Sequence, residues 1–308
     1  MLHEVKFDSY NERDKVYGWI YVPASEIKGV VQLVHGFGEH SRRYLHMIVA
    51  LMDAGYVVAA DDHVGHGKTA LENDTWGNWG NKGPQTMMED EYRLMKLVKE
   101  KYPDLPYFMY GHSMGSIILR QFMAKYGNEL AGAIICGTVG PDVIPYAKGI
   151  ELLKPLVDSG KGDDSDPDLL GVLLGGLFER IEEVKLGNEW ICHDPYVQMD
   201  HAMDPFDAFT QPTSNEALLQ FIEMVEEVNS EEWAAAVPLD LPIYNIAGDE
   251  DPCGAFGEGV RTVTGWLVNS DHNVEEKIYE GYRHEIHNYK DLKDEVEAGI
   301  VKFLDRNL

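Results

Sequence analysis

Gly111-His112-Ser113-Met114-Gly115 follows an apolar run at 107–110 and precedes a helical pattern at 114–125. A serine hydroxyl is a weak nucleophile until a base takes its proton, and it must also be presented to a substrate. A tight strand-to-helix turn does the presenting. It strains the serine backbone and brings the residues two positions away so close that only glycine fits. In that context the pentapeptide marks Ser113 as a candidate nucleophile for acyl transfer; the alternative is an ordinary β-to-α turn.

Attack on a carbonyl also needs donors for the oxyanion that develops. One is expected from the backbone N–H of Met114, at the start of a helix whose dipole favours negative charge. The second is expected from a loop after an earlier strand. His35-Gly36-Phe37-Gly38 stands there, and its glycines allow the Phe37 N–H to aim inward. Such a donor is typically worth about 3–4 kcal/mol in the barrier. A plain Gly-rich connection is the bland alternative.

The base and its orienting acid should follow the serine in the order Ser, Asp/Glu, His. Among the 12 histidines, those up to His112 fail on order, and His193 and His201 fall in a region of different texture. His272 lies before the last strand, at the wrong edge. His284, in Gly281-Tyr282-Arg283-His284-Glu285, lies just past that strand and is the preferred base, with His287 as runner-up. For the acid, the run at 241–247 ends in Gly248-Asp249-Glu250-Asp251-Pro252. Asp251 lies furthest past the strand end, beside a proline that stiffens the loop, and is preferred over Asp249; Glu250 is expected to face solvent.

Three other features carry less. Asp62-His63-Val64-Gly65-His66-Gly67 has ligand types, but the sequence offers them no partners, so it reads as a backbone-shaping turn and no metal site is assigned. Cys253 sits in an acidic neighbourhood and is expected to be inert. The apolar stretch 169–178 either lines an acyl-chain entrance or packs an inserted region on the sheet, and the sequence does not separate the two.

These residues need a scaffold. Compact apolar runs at 29–34, 56–60, 106–110, 133–136, 241–247 and 277–279 read as strands, several of them buried on both faces. Helical patterns at 44–53, 86–101, 114–125 and 291–304 alternate with them, and short alternating stretches at 3–7 and 16–22 read as an edge hairpin. Strand–helix alternation with short loops implies an α/β fold built on a doubly wound, mostly parallel sheet. From 141 to 237 the alternation stops. The expected organisation is a core of 1–140 and 238–308 with a helical cap inserted at 141–237. Within it, Thr213-Ser214-Asn215-Glu216 resembles a capping box that opens a helix with Leu218, Phe221, Ile222, Val225 and Val228 on one side.

Composition excludes several functions. The 308 residues carry 26 Lys+Arg against 53 Asp+Glu, a net charge of −27 that would repel phosphate backbones, so nucleic-acid binding is not expected. No apolar run is long enough for an integral membrane segment, and the first residues lack the pattern of a signal peptide. Three scattered cysteines make neither a disulfide framework nor a zinc site, which fits a reducing cytoplasm. Nothing implies a metal or organic cofactor.

The motifs together resemble those of the alpha/beta-hydrolase family of monoacylglycerol lipases and lysophospholipases. The resemblance rests on Val34-His35-Gly36-Phe37-Gly38-Glu39-His40-Ser41-Arg42-Arg43-Tyr44, on Asp62 through Gly67 and on Gly111 through Gly115. Gly248 through Asp251 resembles the family's acid loop, and Gly281 through Glu285 its histidine loop. Trp190, Asp194 and Asp204-Pro205 are similar to a cap stretch of bacterial members, while Thr69 and Ser116 depart from the usual serine and glycine. The resemblance implies an alpha/beta-hydrolase fold with Ser113 as nucleophile, Asp251 as acid, His284 as base, and Phe37 and Met114 as oxyanion donors. It further implies a serine carboxylic-ester hydrolase acting on a small or lipid ester, such as a monoacylglycerol, through an acyl-enzyme. Two rival readings are an aminopeptidase-like amide hydrolase on the same triad and a non-catalytic ligand-binding protein of the same fold.

Overall fold

In the computed structural model, which describes residues 1–207 and 211–308, the apolar runs become the strands of one eight-stranded sheet. In chain order these are β1 (Leu2–Asp8), β2 (Lys15–Tyr21), β3 (Gly29–Val34), β4 (Tyr56–Asp62), β5 (Tyr107–His112), β6 (Gly132–Cys136), β7 (Ile243–Gly248) and β8 (Val274–Tyr279). Their spatial order is β1-β2-β4-β3-β5-β6-β7-β8. The first two strands pair antiparallel, β2 pairs antiparallel with β4, and every pairing from β4 onward is parallel. This is the doubly wound α/β sheet expected from the alternation, with the edge hairpin in place. Strands β3 to β7 are buried at every residue, as strands covered by helices on both faces must be.

The connecting helices are α1 (Leu45–Asp53), α2 (Gly67–Asn73), α3 (Thr86–Lys101) and α4 (Met114–Tyr126). Between β6 and β7 lie α5 (Tyr146–Asp158), α6 (Pro167–Leu174), α7 (Pro195–Met203), α8 (Asn215–Val228) and α9 (Glu231–Ala236). The chain closes with α10 (Glu258–Asn269) and α11 (Lys293–Arg306). Helix α10 was not read from the sequence: Gly259, Gly265 and alternating polar residues blur its apolar face, of which Val260, Val263 and Leu267 are the buried part. The start of α8 also differs by one residue. Ser214, not Thr213, accepts the Ala217 N–H at 3.2 Å, and the Glu216 carboxylate bonds Gln220 instead of closing a capping box.

Helix α4 is buried from Met114 through Met123, sandwiched between the sheet and α8. Arg120 lies within it and has no carboxylate partner among the described residues. Its guanidinium donates to the backbone oxygens of Val139 and Val228 and to Asn229 Oδ1, and it stacks on Trp233 at 4.5 Å. Burial alone pushes its pKa down to about 9. The parallel register sets the carboxyl ends of β3, β5, β7 and β8 side by side, the place where open α/β sheets gather their reactive loops.

Candidate active site

Ser113 occupies the turn between β5 and α4 at φ 57 and ψ −121, a conformation that costs a non-glycine residue roughly 1–3 kcal/mol. Neighbouring contacts over-determine it. The Ser113 N–H donates to the Cys136 oxygen at 3.0 Å, tying the turn to β6. A Cβ at Gly115 would fall 2.2 Å from the Val34 oxygen, and one at Gly111 would fall 2.2 Å from the Gly115 oxygen. Both glycines are therefore steric necessities. Met114 is the first helical residue, so its N–H has no acceptor inside the helix.

The loop after β3 lies against this turn, with the Gly36 Cβ position 3.0 Å from the Ser113 Cβ. Its shape is held by a buried carboxylate. Glu39 Oε1 accepts the Gly36 N–H at 2.6 Å and the Tyr44 hydroxyl at 2.6 Å. Phe37 turns its ring toward Trp79 and toward Phe221 of α8, joining the sheet side to the helices above it.

The three consecutive carboxylates after β7 have three separate partners. Asp249 Oδ1 accepts the Gly281 N–H at 2.6 Å, fastening this loop to the one after β8. Glu250 is half exposed and meets His193 Nε2 at 2.6 Å. Asp251 is fully buried; Oδ2 accepts His284 Nδ1–H at 2.9 Å while Oδ1 accepts the Cys253 N–H at 2.8 Å. With Nδ1 so engaged, the neutral His284 ring presents Nε2 as its acceptor, and that buried atom has no hydrogen-bond partner among the described residues. Burial opposes charge on His284, yet Asp251 and the adjacent Cys253 hold its pKa well above the ordinary value. Burial pushes the Cys253 thiol up.

Ser113 and His284 line one small cleft with Gly36, Phe37 and Trp190, so the structure brings all five sequence-derived site residues to the same end of the sheet. The runner-up, His287, and the rejected His272 lie elsewhere. His287 is buried behind the cleft, its ring stacked on Tyr44 at 4.8 Å, and His272 bonds the Ala234 oxygen at 2.9 Å. The stretch 169–178 divides: Leu173 packs beneath α5 and α8, while Leu177 lines a cavity of about 230 Å³ with Arg180, Pro252 and Arg283 beside the acid loop.

The brace behind the cleft escaped residue-by-residue reading. Arg43 meets Glu39 at 2.7 Å and grips Glu285 at 2.7 and 2.9 Å, so one guanidinium joins the loop after β3 to the residue following His284. Burial opposes both charges, but Arg43 drives Glu285 down to about 2, and His112 with Arg43 holds Glu39 well below the usual carboxylate range. The i,i+4 spacing of Glu39 and Arg43 was the available signal; it resembles an ordinary helix-surface pair until Glu285 is placed beside it.

The cleft leaves about 20 Å³, room for roughly one water molecule. Trp190 closes it, its ring 5.0 Å from that of His284, and its neighbours are sewn to the histidine loop by Glu285 N–H to the Ile191 oxygen at 2.8 Å and Arg283 to the Glu189 oxygen at 2.6 Å. No helix among the described residues is long and apolar enough to cross a membrane.

Comparison with known proteins places this geometry in a family. A thermostable carboxyl esterase from Bacillus coagulans, solved in complex with glycerol, is 53 % identical and superposes with a TM-score of 0.96, covering 99 % of this chain and 98 % of its own. A lipase in an open form is 36 % identical with a TM-score of 0.91, covering 100 % and 99 % of the two chains. A monoacylglycerol lipase of Mycolicibacterium smegmatis is 26 % identical over 292 residues, 92 % of each chain. Residues 25–291 match the family described as "Serine aminopeptidase, S33". With its mostly parallel eight-stranded sheet and these relatives, the chain belongs to that family of alpha/beta-hydrolases and is similar to the monoacylglycerol lipases and esterases within it.

Proposed function

We propose that this protein is a serine carboxylic-ester hydrolase whose substrate is a monoacylglycerol or a similar neutral lipid ester. Ser113 is the nucleophile, His284 the base and Asp251 the orienting acid. The observation that carries the reading is the buried 2.9 Å bond from His284 to Asp251, which leaves Nε2 at the cleft where the strained Ser113 stands. His284 Nε2 takes the Ser113 proton as Oγ attacks the ester carbonyl, and the N–H groups of Phe37 and Met114 hold the oxyanion. His284 then protonates the leaving alcohol, and water releases the acid by the same steps in reverse.

Substrate class follows from charge and apolar surface. A chain of net charge −27 repels an anionic headgroup, whereas a glycerol ester is neutral. The helices at 141–237 present large apolar side chains to solvent, with Tyr196 85 % and Met203 73 % exposed, a surface suited to acyl chains. The glycerol complex of the 53 % identical esterase fits this preference. This segment acts as the cap over the cleft. An ester cannot enter about 20 Å³, so the cap parts from the core during turnover.

The test is an ester panel spanning short acyl esters, monoacylglycerols, lysophospholipids and amino-acid anilides. Monoacylglycerols should be turned over best, and Ser113→Ala should lose about 10⁶ in kcat. Anilides outrunning every ester would establish the amide reading, and undiminished turnover by the Ser113 variant would end the assignment.

A further inference from the structure

A second buried cluster lies beneath the loop that carries Phe37. Asp61 at the end of β4, His63 just beyond it and Glu91 of α3 converge there, each at most 2 % exposed. Glu91 Oε2 accepts from Gln32 Nε2 and the Asp61 and Glu91 carboxyls face each other closely enough to share a proton, but among the described residues no donor of another group reaches Asp61 Oδ1 or Oδ2, His63 Nδ1 or Glu91 Oε1. The sequence offered His63 no partners; the fold supplies them from the preceding residue pair and from a distant helix.

The tautomer of His63 sharpens the problem. Its Nε2 lies 3.2 Å from the His35 carbonyl oxygen, which can only accept, so Nε2 carries the proton. In the neutral ring Nδ1 is then a lone pair aimed at two carboxylates, 3.5 Å from Asp61 Oδ1 and 3.4 Å from Glu91 Oε1. Those separations are too long for a hydrogen bond of about 2.7–3.2 Å. They are also shorter than the roughly 4.5 Å spanned by a bridging water with two bonds of ordinary length. Two ligands each about 2.1 Å from one tetrahedral ion lie about 3.4 Å apart, which is the spacing observed. Asp90 adds a third buried carboxylate nearby, and among the described residues no lysine or arginine is paired with Asp61 or Glu91. Buried negative charge of this density needs a compensating cation or protons.

We infer that Asp61, His63 and Glu91 form a structural site for a divalent first-row cation of the zinc class, with Nδ1 and carboxylate oxygens as donors. One nitrogen with carboxylates is a borderline donor set that suits Zn²⁺ better than Mg²⁺, which prefers six oxygens and retains water. The ion ties α3 to the sheet and clamps the His63 ring, which stacks on His35 at 3.8 Å at the root of the Phe37 loop. The site is separate from Ser113 and His284 and takes no part in ester cleavage.

The test unfolds the full-length protein with chelator, refolds it with Zn²⁺, Mg²⁺ or no metal, and measures bound metal by elemental analysis alongside Tm. The wild type should retain one more equivalent of zinc than Glu91→Gln, and zinc should raise its Tm by roughly 5 °C while Mg²⁺ does not. In Glu91→Gln the zinc-dependent rise should vanish. Co²⁺ should give the visible absorption of a tetrahedral site in the wild type alone. If the variant does not refold, Asp61→Asn replaces it, and the wild-type metal content still decides. Equal zinc in wild type and variant, or a wild-type Tm indifferent to zinc, would overturn the site. A metal-free Glu91→Gln more stable than metal-free wild type, with no zinc uptake by either, would identify a proton shared between carboxyls instead.

Discussion

The turn at Ser113 and the segment around α6 are built on opposite terms. At the turn, backbone meets backbone: a single added carbon at Gly115 has no place to go, and Ser113 itself is held off its preferred conformation. Around α6, Gly171, Gly175 and Gly176 have nothing within 4 Å of a Cβ, and Val172 stands half exposed. Bond-making groups need positions fixed to fractions of an ångström, whereas a surface segment without that task can keep open space around its backbone. The molecule separates the two in space: the tightly packed turn lies at the carboxyl end of β5, in the middle of the sheet, and the open segment lies among the helices between β6 and β7.

Variants can break or sharpen that contrast. After Ser113→Ala, the largest effect is expected from Asp251→Asn, which should cost about 10⁴ in kcat, because the imidazole loses its fixed tautomer. The same variant carries a pH signature. His284 must be neutral to act as base, so kcat/KM should fall as pH drops through its pKa, with the midpoint above the ordinary histidine value because Asp251 raises it. In the variant burial remains while the carboxylate is gone, so the midpoint should move to lower pH; an unmoved midpoint in pH–rate profiles would detach Asp251 from His284.

Gly115→Ala should come next, destabilising by about 4 kcal/mol or preventing folding, as read by denaturant midpoints. Arg43→Met should cost about 3 kcal/mol in the same measurement, since it leaves Glu39 and Glu285 buried without a counter-charge. Leu177→Ala truncates a side chain only 3 % exposed and should cost about 2–3 kcal/mol, while shifting the preferred acyl length by a few-fold in kcat/KM; an unaltered chain-length profile would remove that cavity from substrate binding. The smallest effect has the opposite sign. Gly171→Ala lies inside α6 with open space around it, so it should stabilise by about 0.5–1 kcal/mol in thermal unfolding.

The same division explains what could be read in advance. Ser113, Asp251 and His284 could be singled out because each closely follows a strand, β5 and β7 fully buried and β8 only partly so, at a point where the sequence turns glycine-rich. Asp251 was separable from Asp249 by its distance past the strand, but the job of Asp249 on the Gly281 N–H was not, since a backbone contact between loops leaves no trace in side-chain type. The brace of Arg43 and Glu285 and the convergence of Asp61, His63 and Glu91 were hidden for a related reason. Each joins residues whose meeting depends on sheet order, and strand order is not written in any local pattern. In the inserted region, the helix of α8 showed through its apolar stripe, while weakly patterned α6 and α7 did not.

Arg120 has a consequence for anyone who would exchange the upper helices for those of a relative. Its guanidinium is held by the carbonyls of Val139, just past β6, and Val228, the amide of Asn229 and the indole of Trp233, while its Nε has no partner among the described residues. A chimera cut anywhere between those positions would strand a cation in oil. Grafts should therefore either carry 228–233 along with the host's own helix, or replace the arginine by a leucine at the same stroke.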